Sequence, residues 1–188
     1  DHQRLDDRPT SLKALWLVEG SGHVGRKELA DKLGIGEGSA RKLISHMEGR
    51  GWIATARKGI SIASLGSAAL KDIGLKCKEV HAGNITVGEI DFAIRLRGLA
   101  ARITNGIAQR DEAIKAGASG ATTLVFRGKL AFTDGFDVQK SDSRAARVLC
   151  QDFGLSEGDV LIIGCSPEPG LAADGAFAAA VLTLNIEK

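Results

Sequence analysis

Aromatic side chains are scarce in this sequence, which has no tyrosine, two tryptophans and six phenylalanines, 4% of 188 residues. A close-packed core must then come from Ala, Leu, Ile and Val, within a hydrophobic fraction of 44%. Cysteine is equally sparse. Cys77, Cys150 and Cys165 are odd in number and lack C-x-x-C spacing, which excludes a disulfide framework and reads as free thiols in a reducing cytoplasm. No apolar run reaches the roughly 18 residues of a membrane helix. The opening Asp1-His2-Gln3-Arg4 forms no apolar signal core. The expectation is a cytoplasmic protein with no membrane partner.

Catalytic signatures are thin as well. The phosphate-loop pattern G-x-x-x-x-G-K-[ST] and the nucleophile elbow G-x-S-x-G are both missing. The histidines are His2, His23, His46 and His81, so no histidine base follows His81. Asp111-Glu112 sits inside a helical pattern and reads as a solvated face. Cys77 and His81 are four apart and would share a helix face, but two ligands do not close a structural zinc site. An enzyme is not expected, nor a cofactor, nor a metal.

Glycine is abundant, with 24 residues, against a typical ~7%. Charge divides unevenly. Residues 11–65 carry nine basic and five acidic side chains, whereas residues 76–188 carry 13 basic and 14 acidic. A basic front and a near-neutral back predict two domains with different partners. The expected division is a domain over 10–75, a linker over 76–84 and a second domain over 85–188.

In the front part, apolar residues over 11–18 recur at helical spacing, and Gly20-Ser21-Gly22 ends the helix. Residues 26–33 form a second, short helix. The glycine-rich turn 34–38 leads to a third helix over 39–48, capped near Gly38 or Ser39. Its Ala40, Leu43, Ile44 and Met47 make one buried stripe, leaving Arg41, Lys42, Ser45 and His46 outside. Residues 52–56 and 60–63 read as strands joined through Arg57-Lys58-Gly59, a hairpin with glycine where positive φ is useful.

Helix, helix, turn, helix and basic hairpin resemble the winged helix-turn-helix domain of prokaryotic transcription regulators. The carrying segments are RKELADKLGIG at 26–36, SARKLI at 39–44, GWI at 51–53 and SLGSAALK at 64–71. That resemblance implies a third helix lying in the major groove of double-stranded DNA with the hairpin on flanking backbone. Arg41 and Lys42 would then donate to guanine acceptors or phosphates, with Ser39, Ser45 and His46 adding weaker contacts. Arg50, Arg57 and Lys58 would meet phosphates or the minor groove. The competing reading is a winged helix that binds a protein partner. An enzyme carrying a regulatory DNA-binding head ranks behind both.

The rear part alternates strands and helices. Strands are expected at 90–97, 121–126, 129–132 and 159–165, with helices at 103–116, 142–153 and 170–184. The order βαββαβ plus a helix predicts an α+β fold with a ferredoxin-like α/β sandwich behind the winged helix-turn-helix. The full arrangement resembles an uncharacterised archaeal winged-helix family with a C-terminal α/β domain of unknown function. The segments GIAQRDEAIKAGA at 106–118 and GATTL at 120–124 carry that resemblance, as does 169–184 around Asp174-Gly175-Ala176. Two features suggest a small anionic effector. Arg95 and Arg97 alternate with Asp91 on one face of a strand. Ser166 to Gly170 joins an apolar strand to a helix N-terminus, where backbone N–H groups can hold an anion. The commoner use of the Arg95/Arg97 face is dimerisation, and a two-fold homodimer would present two recognition helices to a palindromic site.

Overall fold

The computed structural model describes residues 8–186; His2 lies outside them. The protein is α+β, and the chain divides into two compact units, one ending at Ile73 and one beginning at Gly74. Among the described residues, no helix is long and apolar enough to cross a membrane.

The first unit contains α1 (Pro9–Ser21), α2 (Arg26–Leu33), α3 (Glu37–Gly49), β1 (Ile53–Ala56), β2 (Gly59–Ile62) and α4 (Ser64–Asp72). Its core joins Leu12, Leu15 and Val18 of α1 to Leu29 of α2, Met47 of α3, and Trp52. The α3 stripe of Ala40, Leu43, Ile44 and Met47 is buried as its spacing predicts. The helix starts two residues earlier than expected, because Gly36 provides an extended N-cap with no side chain to mark it. Val24 exchanges backbone hydrogen bonds with Ile60 at 3.0 and 2.9 Å, which lays the α1–α2 connection beside the hairpin. Gly59 is required there, since it adopts φ 119° and a Cβ would lie 2.9 Å from the Val24 carbonyl oxygen.

The second unit contains β3 (Lys76–Val80), β4 (Ile90–Leu96), α5 (Ile107–Lys115), β5 (Gly120–Phe126), β6 (Leu130–Phe132), α6 (Val138–Ser141), α7 (Ser143–Phe153), β7 (Val160–Ser166) and α8 (Pro169–Asn185). The five strands form one antiparallel sheet in the order β3-β4-β7-β5-β6. Helices α5 and α8 pack together over one face, where the Phe92 and Phe177 rings lie 5.9 Å apart. On the other face α6 and α7 bury Val138, Ala146, Leu149 and Phe153 against Ala93, Leu124, Leu161 and Ile163. Covered on both sides, β7 is buried at every residue, which is why it reads as a continuous apolar run.

Two expectations are corrected here. Residues 76–84 are not a linker: 76–80 pair with β4 as an edge strand, and Ala82 and Ile85 enter the core. Lys76, Lys78 and Glu79 on an exposed edge disguise the strand, a charge pattern that also discourages edge-to-edge pairing. The chain order βαββαβ holds from β4 onward, but the sheet is not ferredoxin-like. The strand between the co-directional β4 and β5 is the last one, β7, and not the hairpin partner β6. Helices also flank both faces, so the unit has three layers.

Asp142 fixes the entry to α7 by accepting from the Ala145 amide at 2.9 Å. That hydrogen bond, helped by the Asn84 and Arg144 amides, holds its carboxyl below the usual carboxylate range against a smaller opposing effect of burial. A depressed native pKa contributes stability above the unfolded value and loses it as pH falls through the native one. Asp142→Ala is therefore expected to lower the thermal midpoint at neutral pH. The gap from the parent should close as pH falls below the ordinary carboxylate range. Midpoints measured by circular dichroism across that range check this, and a pH-independent gap would remove the charge from the explanation.

Candidate nucleic-acid interface

Every residue expected on the outer face of α3 and at the hairpin tip is exposed: Ser39, Arg41, Lys42, Ser45, His46, Arg50, Arg57 and Lys58. Helical spacing sorts those on α3 into two flanks. Arg41, Ser45 and Glu48 face the hairpin. Ser39, Lys42 and His46 lie along the other side.

The hairpin flank borders an open groove of about 430 Å³, whose lining includes Arg26, Arg41, Ser45 and Arg57 above Ile44 and Ile60. One carboxylate, Glu48, also lines it. Glu48 is occupied: its Oε1 accepts from the Thr55 amide at 3.1 Å and from the Thr55 hydroxyl. These bonds tie the last turn of α3 to β1, and the three guanidinium groups outnumber the one carboxylate, so the groove remains net cationic. On the other flank Arg50 and His46 pack around the buried Trp52. The guanidinium stands 5.0 Å over the indole, and the imidazole meets it edge-on at 6.2 Å. Cation–π stacking of this kind reduces the freedom of the guanidinium. Lys58 sits exposed on the tip, outside the groove lining.

Arg26 is the residue that sequence spacing misses. It opens α2, far along the chain from Arg41 and Arg57, and the Val24–Ile60 pairing is what carries it beside the hairpin. The segment Gly20-Ser21-Gly22-His23-Val24-Gly25, just before it, has the spacing G-x-G-x-x-G. It joins α1 to α2 and so lacks the preceding strand that a dinucleotide-binding turn requires.

The residues expected to hold an anion in the second unit are not brought together. Arg95 donates from Nε and one terminal nitrogen to the Gly74 carbonyl at 3.0 and 2.8 Å, and from the other to the Phe153 carbonyl at 3.0 Å. It clamps the start of the unit to the end of α7, on a face that α7 covers. Asp91, buried four residues earlier on the same strand, accepts from the Ala82 amide and the Thr86 hydroxyl. The Asp91 and Arg95 part of the face expected for dimerisation is therefore engaged from within the chain. Arg97 is exposed beyond the end of β4, next to Gly74. Ser166 is buried and its hydroxyl oxygen accepts from the Glu168 amide at 3.2 Å, while Gly170 is exposed at the start of α8. The registers Arg95↔Leu161 and Ile90↔Ser166 put the two pairs toward opposite ends of β7, about 17 Å apart. Arg95→Met is expected to cost about 2 kcal/mol of stability, because three charge-assisted bonds to carbonyls disappear. Urea unfolding measures this, and an unchanged midpoint would mean that the clamp adds nothing.

Neither thiol near a surface is activated. Burial pushes the Cys77 and Cys150 thiols up, away from the thiolate form. Among the described residues, no group of three or more His, Cys, Asp or Glu could hold a metal ion.

Taken together, these features define a two-unit α+β protein with a cationic groove on its helical unit and a three-layer second unit. Residues 87–184, from just before β4 into α8, match the family model described as "Domain of unknown function (DUF4443)", and the chain belongs to that family. Among solved structures it is similar to "Hypothetical protein PH0730 from Pyrococcus horikoshii OT3", at a TM-score of 0.72 and 24% identity over 93% of this chain and 90% of that one. At that identity the likeness is one of fold, and it extends over both units. No curated protein matches the chain.

Proposed function

We propose that the first unit is a winged helix that binds double-stranded DNA and that the chain is a DNA-binding transcription regulator. The observation that carries the reading is the convergence of Arg26, Arg41 and Arg57 on one open groove between α3 and the hairpin, where they outnumber its one carboxylate, Glu48. In this reading the exposed face of α3 enters the major groove, where Arg41 and Lys42 reach base edges or phosphates. Arg57, Lys58 and Arg26 lie along the adjacent backbone and supply affinity independent of sequence.

The test is binding of the intact chain to pooled genomic DNA fragments across a salt series, beside a variant carrying Arg41→Ala, Lys42→Ala and Lys58→Ala. Affinity should fall steeply with salt, by a slope of about 0.9 per phosphate contacted, and the variant should bind far more weakly. No binding, or equal weak binding by both proteins, would transfer the reading to a protein-interaction module.

A further inference from the structure

The second unit holds a cleft of about 640 Å³ between the β5–β6 hairpin and α7, within the size range of small-molecule sites. Its floor is apolar: Leu130 and Ala146 are buried, and Phe126 and Cys150 are half-buried beside them. Its rim is cationic. Arg144 and Arg147 stand one turn apart on α7, both exposed. Residues three and four positions away from them are Lys140, Ser141 and Val148 for Arg144, and Ser143, Cys150 and Gln151 for Arg147. No acid on the helix pairs with either, and like charges at this spacing repel. The other charges at the cleft cancel or are engaged. Lys129 lies 3.6 Å from Asp137, and Asp142, which attracts Arg144 through space, caps α7 from outside the cleft lining.

From two exposed guanidinium groups lining one cleft above an apolar floor, we infer that this cleft binds a small organic anion, a carboxylate or phosphate head on an apolar body. The paired guanidinium forks match the oxygens of either head. Phe126, Leu130 and Cys150 take the body, and Ser143 and Gln139 stand at the rim as neutral donors. The site shares no residue with the Arg95 and Ser166 positions described above. It also stands independently of DNA binding, since it uses neither α3 nor the first hairpin.

The test is a titration of the ¹⁵N-labelled full chain with octanoate, octyl phosphate and inorganic phosphate, followed by amide correlation spectra. Octanoate or octyl phosphate should shift the amides of Leu130, Gln139, Arg147 and Cys150 saturably, and whichever binds more tightly identifies the head group. Arg144→Gln with Arg147→Gln should weaken binding about tenfold or more, the loss of at least one charge-assisted hydrogen bond, with the remaining spectrum unchanged. Leu130→Asn tests the floor separately and should weaken both amphiphiles. The inference is overturned if neither amphiphile moves these amides, or if the double variant binds as the parent does. Inorganic phosphate binding as tightly as octyl phosphate would overturn it as well, because the apolar floor would then do nothing.

Discussion

Gly164→Val is expected to destabilise the second unit by about 4 kcal/mol, a large share of the 5–15 kcal/mol that holds a typical domain folded. Gly164 lies in the middle of β7, paired with Phe92 on one side and Ala121 on the other. Helix α8 crosses directly over it. A Cβ at this position would fall 2.3 Å from the Ala172 carbonyl oxygen and 2.7 Å from the Ala176 amide nitrogen. Both atoms are helix backbone, so no rotamer change relieves the clash and the whole helix must lift. Ordinary overpacking costs about 1–3 kcal/mol because side chains can give way; here they cannot. Lifting α8 would also open its seam with α5, where a Cβ on Gly175 would lie 3.2 Å from that of Ala113. It would also separate Phe177 from Phe92. Urea unfolding by circular dichroism reads the effect. Tryptophan emission comes wholly from Trp16 and Trp52, so it follows the first unit separately. A midpoint unchanged by the valine would mean that α8 does not approach the sheet this closely.

The same close approach explains which parts of the fold were legible in the sequence. The α3 stripe could be read because Ala40, Leu43, Ile44 and Met47 face one core at helical spacing, and β7 because a strand covered on both faces is apolar throughout. Helix α5 misleads. Its isoleucines Ile107 and Ile114 are about half exposed, while Gln109 and Ala113 turn inward. Small residues let α5 sit tightly against α8, and Gln109 donates to the buried Thr183 hydroxyl at 3.2 Å. Hydrophobicity is then a poor guide to the inner face, because the contact selects for size and hydrogen bonding.

Sheet order was not legible either. Alternation tells which face of a strand is wet, but not which strand lies beside it, and β7 reaches its place between β4 and β5 from far along the chain. Arg95 illustrates the limit for the candidate sites. Beside Asp91 and Arg97 on an alternating strand it has the pattern of a wet cationic face, yet its acceptors are the carbonyls of Gly74 and Phe153. Backbone acceptors leave no mark in a sequence. The α3 and hairpin cations were readable because a helical stripe and a tight turn are local patterns, whereas Arg26 joins them through one non-local β-bridge.

That bridge bears on how DNA affinity should divide among the cations. Arg41 is on the helix proposed to enter the major groove, so Arg41→Ala should cost about 1–3 kcal/mol on a selected site and much less on random duplex. Arg57 and Lys58 sit on the hairpin tip, which in the proposed docking meets the flanking backbone. Their alanine variants should weaken selected and random DNA alike, and each should reduce the salt slope by about one. Arg26→Ala should behave like the tip variants, since Val24 and Ile60 hold it against the hairpin. Arg50 is separable from all of these. Its stacking on Trp52 contributes to packing as well as charge, so Arg50→Lys, which retains the charge and loses the planar stack, should lower stability more than it lowers affinity. Anisotropy titrations of each variant on a selected and a random duplex, at several salt concentrations, resolve these contributions. Equal losses for Arg41→Ala on both duplexes would make Arg41 a phosphate contact, and sequence selection would then have to come from Lys42 and the rest of its flank.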